Sequence, residues 1–465
     1  MISINAKAPA IHTFRDMDSK LCQYAAKPVP RYTSYPTAPH FTDTVDSAEY
    51  AGWLKRVDRD TPTSLYLHIP YCRSICHYCG CHTKATRQEA PVHAYAATLG
   101  RELALVRRHL GKGHRLRHIH WGGGTPSLLP QADFEALIAE IRAMFEIEPD
   151  AEHAMELDPR TVTAELAQSL FRAGITRVSL GVQDLNPQVQ EAIGRVQPFA
   201  VVERAVTHLR DAGIEQICFD LMYGLPHQGD AEIARTIHLA ATLQPTRIAL
   251  FGYAHVPWMK KHQRLIDEDA LPDTVARLAQ SEEAALLLAT HGYRRVGLDH
   301  FVLPNDSLAR AAADGTLRRN FQGYTADSAD TLIAIGTSAI GYLPQGFIQN
   351  ETDIRRWRHE IELGRLPVLK GKRVSTDDLL RAEIIERLMC RFEVDLQAAC
   401  AHYGVDPMTL ENSKAALAPL QHDGLVEIDG DRLKVPPAQR PFVRLVAAAF
   451  DAYLPSGAAK HSAAV

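Results

Sequence analysis

No apolar run in the chain approaches the roughly 20 consecutive residues that a membrane-spanning helix needs, so no membrane span is expected. The first residues, Met1 to Lys7, carry no apolar core of the kind a secretory leader shows. The expected location is therefore the cytoplasm. Cysteine is scarce, with eight in 465 residues, and four of those (Cys22, Cys218, Cys390 and Cys400) follow no pattern. That usage excludes a disulfide-built secreted scaffold and suits a reducing compartment. Neither charge is in large excess: 51 Lys and Arg stand against 55 Asp and Glu, a net charge of −4. A general binder of nucleic acid or of anionic membranes would be basic, so neither is expected. No internal repeat is visible beyond an alternation of strand and helix patterns. The length allows one large core domain with one or two smaller units, and a monomer is expected.

The other four cysteines lie within one short stretch, Cys72-Arg73-Ser74-Ile75-Cys76-His77-Tyr78-Cys79-Gly80-Cys81. The spacing is C-x3-C-x2-C with a fourth cysteine two residues on. It follows directly on Ser64 to Pro70, an alternating apolar run that reads as a buried strand. Thiolates this close bind metal, pair as disulfides or exchange redox equivalents. A zinc site usually shows two C-x2-C pairs a dozen or more residues apart, and no second pair is present. Three cysteines can instead hold three irons of a cubane cluster and leave the fourth iron open, which marks a reactive site. From spacing alone, iron–sulfur, zinc and structural or redox thiols all stay open. Cys81 reads as a fourth ligand, a catalytic thiol or a bystander.

From about residue 64 to 300, strand and helix patterns alternate. Expected strands are 65–69, 116–121, 152–157, 177–181, 216–222, 247–253 and 294–298, with helical patterns such as Leu99, Leu103, Val106, Leu110 and Leu137, Ile141, Phe145 between them. Repeated β-α units imply a parallel sheet with helices outside it and chemistry at the carboxyl ends of the strands. Polar motifs do follow the strands: His120-Trp121-Gly122-Gly123-Gly124-Thr125-Pro126, then Glu156-Leu157-Asp158-Pro159, Gln183 with Arg195 beyond it, and Asp220. Taken singly, each is a tight turn, a helix cap or a satisfied buried polar group. As a series at successive strand ends they read as one site.

The strand, the cysteine spacing and the Gly-Gly-Gly-Thr-Pro run resemble the radical S-adenosylmethionine (AdoMet) superfamily. The longer stretch from Tyr66, His68, Ile69 and Pro70 into C-x3-C-x2-C-x-C is similar to the bacterial oxygen-independent coproporphyrinogen III oxidases (dehydrogenases). The resemblance runs from about Arg31 into the C-terminal region. It implies an α/β fold, a partial (β/α)6 barrel, and a [4Fe-4S] cluster held by Cys72, Cys76 and Cys79, with Cys81 catalytic. It also implies AdoMet, two molecules of it in this branch. The first would be held by Tyr66, Gly123, Glu156 and Ile340, the second by Gln183, Arg195 and Asp220 with Tyr78, Gly124, Thr125 and Ala254. The implied reaction turns two propionates of coproporphyrinogen III into vinyl groups, giving protoporphyrinogen IX in haem biosynthesis. It needs a one-electron donor of the flavodoxin or ferredoxin type and an electron acceptor. A haem carrier of the same fold is the alternative; Cys81 and the arm at Arg31 to Pro36 argue against it.

Three further stretches carry the substrate assignment: Phe251-Gly252-Tyr253-Ala254-His255, Asp299-His300-Phe301 and Arg319-Asn320-Phe321-Gln322-Gly323-Tyr324. Aromatic rings suit the faces of a macrocycle and cations suit its carboxylates, while the bland reading is core aromatics beside satisfied histidines. His255 and His300 can ligate metal, but their spacing names no site. Residues 1–60 read as an N-terminal arm whose prolines between Lys27 and Thr37 bar regular helix. Residues 61–365 read as the catalytic barrel. A linker at Gly364 to Arg373 leads into a mainly α unit over 366–465. Its apolar helix and its hairpin around Asp429-Gly430 are winged-helix-like. That unit lacks a basic stripe, so a lid or brace is expected rather than DNA binding.

Overall fold

Short apolar β-rich runs separated by amphipathic helices build one large sheet, as the computed structural model, which describes residues 19–454, makes plain. The stretch Met1 to Lys7, on which the leader argument rests, lies outside the described residues, as do 455–465. Twelve strands form the sheet. In chain order they are β1 (Thr63–Ile69), β2 (His114–Gly123), β3 (Phe145–Leu157), β4 (Arg177–Gln183), β5 (Gln216–Tyr223), β6 (Arg247–Gly252), β7 (Arg294–Val296), β8 (His300–Val302), β9 (Thr331–Ile335), β10 (Ile340–Leu343), β11 (Gly346–Asn350) and β12 (Val368–Arg373). Their spatial order is β12-β11-β10-β9-β1-β2-β3-β4-β5-β6-β8-β7. Strands β1 to β6 pair in parallel, and β9 joins β1 in parallel on the other side. Every residue of β1 is buried, as expected of a parallel strand covered on both faces. The edge strands β7 and β12 do not pair with each other, so the barrel is open.

Several boundaries differ from the expectations. Strand β2 begins at His114 and β3 at Phe145, both earlier than the apolar pattern indicated; Phe145 opens a strand instead of closing a helix. The stretch expected as a seventh parallel strand is a short antiparallel hairpin, β7 with β8. Gly297 makes its turn at φ +60°, where a Cβ would lie 2.0 Å from the Tyr324 ring. The stretch expected as a linker holds β12, which pairs with β11 and bridges Thr42 through Gly371.

The N-terminal residues divide between two cores. Helix Ser47–Leu54 puts Tyr50, Trp53 and Leu54 into the barrel core. Helix Ser19–Ala26 and the proline arm put Tyr24, Val29, Tyr32 and Tyr35 into the core of the C-terminal unit, against Leu380, Ile384 and Val446. Tyr32 donates to Asp451 at 3.1 Å and Tyr35 accepts from the Ala452 N–H at 3.0 Å, so the arm is an ordered strap. The C-terminal unit carries helices Thr376–Arg391, Leu396–Tyr403 and Glu411–His422. Its three-stranded sheet pairs Glu393–Asp395 and Glu427–Asp429 with Arg432–Lys434. Gly430 makes the expected hairpin turn at φ +60°.

Candidate active site

The cysteine loop is held mainly through its backbone. Gly124 and Thr125 donate their N–H groups to Ile69 and Tyr71 at 2.8 and 2.7 Å, docking the glycine turn after β2 under the start of the loop. A Cβ at Gly124 would lie 2.5 Å from the Tyr71 carbonyl oxygen, so that approach needs glycine. The His77 N–H donates to Ile193 at 2.9 Å. A segment after β6 closes the other side: Gln263 donates to the Tyr78 carbonyl at 2.9 Å, Lys260 to that of Cys81 at 3.0 Å, and His262 Nε2 lies 2.6 Å from that of Cys79.

This loop faces a cavity of about 190 Å³ walled by Cys72, Cys76, Cys79, Cys81, Tyr78, Gly123, Gly124, Thr125, Glu156, Gln183, Arg195 and Asp220. Cys76 is buried and Cys81 exposed. Thr125 Oγ1 donates to Cys72 Sγ at 3.6 Å and Arg195 Nη1 to Cys76 Sγ at 3.4 Å. Hydrogen bonding from Cys81 lowers the Cys79 thiol to about 6, while burial pushes Cys72 up to about 11. Among the described residues, no three His, Cys, Asp or Glu side chains close round a single metal ion. The thiols instead line one cavity with Gly123, Glu156 and Asp220, and that donor set would suit a polynuclear cluster.

The strand-end residues arrive as the register dictates. Glu156 accepts from the Gly123 N–H at 3.0 Å and lies 3.2 Å from His120 Nε2. Burial opposes its charge, yet these partners hold the carboxyl below its ordinary value. Burial pushes Asp220, which accepts from Ser179 at 2.6 Å, up to about 7. Gln183 ends β4 at φ +66°, just past a register shift that re-aims its side chain. Arg195 donates to the Gly181 carbonyl at 2.7 Å and pairs with Asp158 at 3.4 Å.

Three expected residues lie elsewhere. Tyr66 stacks edge-on to Phe321 at 4.7 Å and beside His120, behind the Glu156 wall. Ile340 opens β10 and lines a separate cavity of about 200 Å³ with Tyr342 and Phe347. Ala254 lines two larger cavities next described. Sequence reasoning did not single out Asp158, Ser179, His262 or Gln263. Asp158 bore a strand-end signal and Ser179 lies within an expected strand; the other two act on backbone carbonyls, which no side-chain pattern reveals.

An inner cavity of about 530 Å³ shares Tyr78, Cys81, Glu156, Gln183 and Asp220 with the cysteine cavity. It also shares Arg31, Phe251, Tyr253, Ala254, Phe321 and Gln322 with an outer cavity of about 620 Å³. The outer cavity is cationic: Arg31, Arg277, Arg295, Arg319 and Arg444 face it, against Asp273 and Asp299. Arg319 is buried among Tyr324 and Asp299, and its Nε and Nη1 have no hydrogen-bond partner. Such a guanidinium calls for an acceptor from outside the chain. His300 is committed to Asp299 at 2.7 Å, and His255 lies between Tyr253 and Glu268 at 2.8 and 2.9 Å.

Known proteins with this arrangement are found readily. Residues 66–240 match the Radical SAM superfamily model, and residues 374–442 match the HemN C-terminal domain. The oxygen-independent coproporphyrinogen III oxidase of Bradyrhizobium diazoefficiens is 48% identical over 442 residues, which is 95% of this chain and 98% of that protein. The oxidase of the same name from Salmonella typhimurium is 35% identical over 443 residues, 94% of this chain and 96% of that one. The crystal structure of coproporphyrinogen III oxidase (HemN) from Escherichia coli, described as a radical SAM enzyme, superposes with a TM-score of 0.88. It is 33% identical and covers 94% of this chain and 99% of that one. With the two family models matched over residues 66–240 and 374–442 and relatives 48% and 35% identical over nearly its whole length, the chain belongs to the oxygen-independent coproporphyrinogen III oxidase family of the radical SAM superfamily.

Proposed function

We propose that this chain catalyses oxygen-independent oxidative decarboxylation of the two reactive propionates of coproporphyrinogen III. The observation that carries the substrate assignment is the continuity of walls from an arginine-lined outer cavity to the cysteine loop. Cys72, Cys76 and Cys79 would hold a [4Fe-4S] cluster, and Gly123 and Glu156 an AdoMet beside it. Arg195, Gln183 and Asp220, with Tyr78, Gly124, Thr125 and Ala254, would hold a second AdoMet. When bound, the cluster and AdoMet would supply the radical chemistry needed to activate a C–H bond at the propionate β-carbon.

The chain's own residues then do the positioning. Tetracarboxylate substrate enters with Arg277, Arg319 and Arg444 binding carboxylates that do not react. Phe251, Tyr253 and Phe321 pack on the macrocycle. One propionate passes into the inner cavity, whose walls include Cys81, Glu156 and Asp220. Holding the reacting carbon close is an orientation task, and the packed aromatic wall excludes water from it. Cys81, exposed at the join between cavities, is placed to meet the substrate. Loss of CO2 and of one electron leaves each vinyl group, so an electron acceptor is required, as is a one-electron donor of the flavodoxin or ferredoxin type. We place the reaction in the cytoplasm in a monomer, in keeping with eight free thiols. No helix among the described residues is long and apolar enough to cross a membrane.

The test is an anaerobic incubation of cluster-reconstituted protein with AdoMet, coproporphyrinogen III and reductant. Mass spectrometry should find protoporphyrinogen IX and 5′-deoxyadenosine. Unchanged substrate, with cluster and AdoMet cleavage intact, would send the assignment back to another carboxylate-rich ligand.

A further inference from the structure

We infer that the loop between Val256 and Ile266 is the docking surface for the electron donor, and that the donor is a small protein with an acidic face. The inference rests on the proposed cluster at Cys72, Cys76 and Cys79. Two independent features of this loop meet at one place. The first is its outer surface: Met259 and Leu265 are 67% and 65% exposed, an unusual pair of large apolar side chains left in water. Between them stand Lys261 and Arg264, both exposed and in no ion pair among the described residues. No acidic residue occurs from Val256 to Ile266. Three exposed acids follow the loop, Asp267, Glu268 and Asp269; Asp267 caps the next turn and Glu268 is bound to His255. Apolar contacts ringed by cations suit a partner with apolar and acidic groups.

The second feature is the inner side of the same loop. His262 contacts the Cys79 carbonyl at 2.6 Å and Lys260 contacts that of Cys81 at 3.0 Å. One side chain therefore separates the exposed surface from the backbone of a cluster ligand. Along the cysteine stretch Arg73, Lys84 and Arg87 are exposed and no acidic residue occurs from Pro62 to Gln88, Lys84 lying near Asp353. A chain with net charge −4 thus presents a cationic face where an electron must enter. The transfer is a single electron: the donor's reduced flavin or iron–sulfur centre is oxidised by one, the cluster is reduced from the 2+ to the 1+ state, and no proton or bond is exchanged. The basic face raises the encounter rate of an acidic donor and weakens with salt.

The experiment compares wild-type holoprotein with Lys261→Glu/Arg264→Glu and with Met259→Ser/Leu265→Ser, leaving Lys260 and His262 in place. Binding of flavodoxin is followed by calorimetry at low and moderate salt, and cluster reduction by flavodoxin hydroquinone or by dithionite is followed by anaerobic stopped flow. The charge-reversed protein should bind flavodoxin at least about tenfold more weakly and lose most of the salt dependence of reduction. The apolar pair should weaken binding without changing its salt dependence. Dithionite should reduce all three proteins at the same rate. Equal flavodoxin affinity in all three overturns the inference, and so does a parallel loss with dithionite, which would make the loop a support for the cluster. Failure of the wild type to assemble a cluster overturns the underlying active-site reading as well, and is seen before any donor is added.

Discussion

Among single residues, the four thiols of the loop differ in their company. Cys72 and Cys76 accept from Thr125 and Arg195, and Cys79 takes a hydrogen bond from Cys81. Replacing Cys72, Cys76 or Cys79 with Ser should each abolish the visible absorption of the reconstituted cluster and the release of methionine from AdoMet. Cys81→Ser should keep the absorption and impair turnover with substrate; loss of the cluster in that variant would instead make Cys81 a ligand. Arg319 bears on the substrate. A buried guanidinium that loses a charged acceptor forgoes about 1.5–3 kcal/mol. Arg319→Gln should therefore raise KM for coproporphyrinogen roughly tenfold to a hundredfold, with AdoMet affinity unchanged, as steady-state kinetics and AdoMet calorimetry would read. These residues were legible to unequal degrees. Cysteine spacing and strand-end glycines are local patterns and were readable. Arg444 was not, because nothing in a sequence shows that a C-terminal helix reaches a cavity opened by Phe251 and Asp299.

Elements show the same division. The six parallel strands and the helices between them announce themselves through apolar periodicity. Strand β12 hides because Lys370, Gly371, Lys372 and Arg373 read as loop, and only pairing with β11 and the bridge to Thr42 make it a strand. Strand β9 is anchored by a buried carboxylate on helix Ala90–Leu110: Glu102 accepts from the Gly336 N–H at 2.8 Å, Trp357 at 3.0 Å and Asn350 at 2.6 Å. Burial pushes Glu102 up to about 7 despite these donors. A group whose value rises on folding binds its proton more tightly in the native state. Its contribution is complete below the unfolded value, near 4.5, and is lost as the pH rises through 7. Wild-type stability should thus decline relative to Glu102→Gln between about pH 5 and 8. Denaturant unfolding of both proteins across that range measures it, and parallel curves would refute the assignment.

At the scale of the molecule, the N-terminal residues contribute to both the barrel core and the core of the C-terminal unit. Tyr24, Val29, Tyr32 and Tyr35 are buried in the core of the C-terminal unit, which Leu278 of the barrel also joins. Ending the chain after Arg373 should uncover those side chains, lower the melting temperature and abolish binding of the substrate, since Arg444 and the seat of the arm go together. Scanning calorimetry and fluorescence of bound coproporphyrin would show both losses. This interdependence was not legible in sequence. Sequence leaves the arm as either an ordered arm or a disordered leader, and the C-terminal unit as a lid or brace, because contacts some 400 residues apart leave no local trace; Tyr32 to Asp451 is one such contact.

The outer cavity takes one wall from Arg31 and another from Arg444. During translation, then, the cysteine loop and the strands around it leave the ribosome long before the chamber for the macrocycle can close. A chain that still lacks Arg444 has the cysteine loop and its strands but no enclosed seat for a tetrapyrrole. Synthesis of the thiols and completion of the substrate chamber are thereby separated in time by the order of the gene itself.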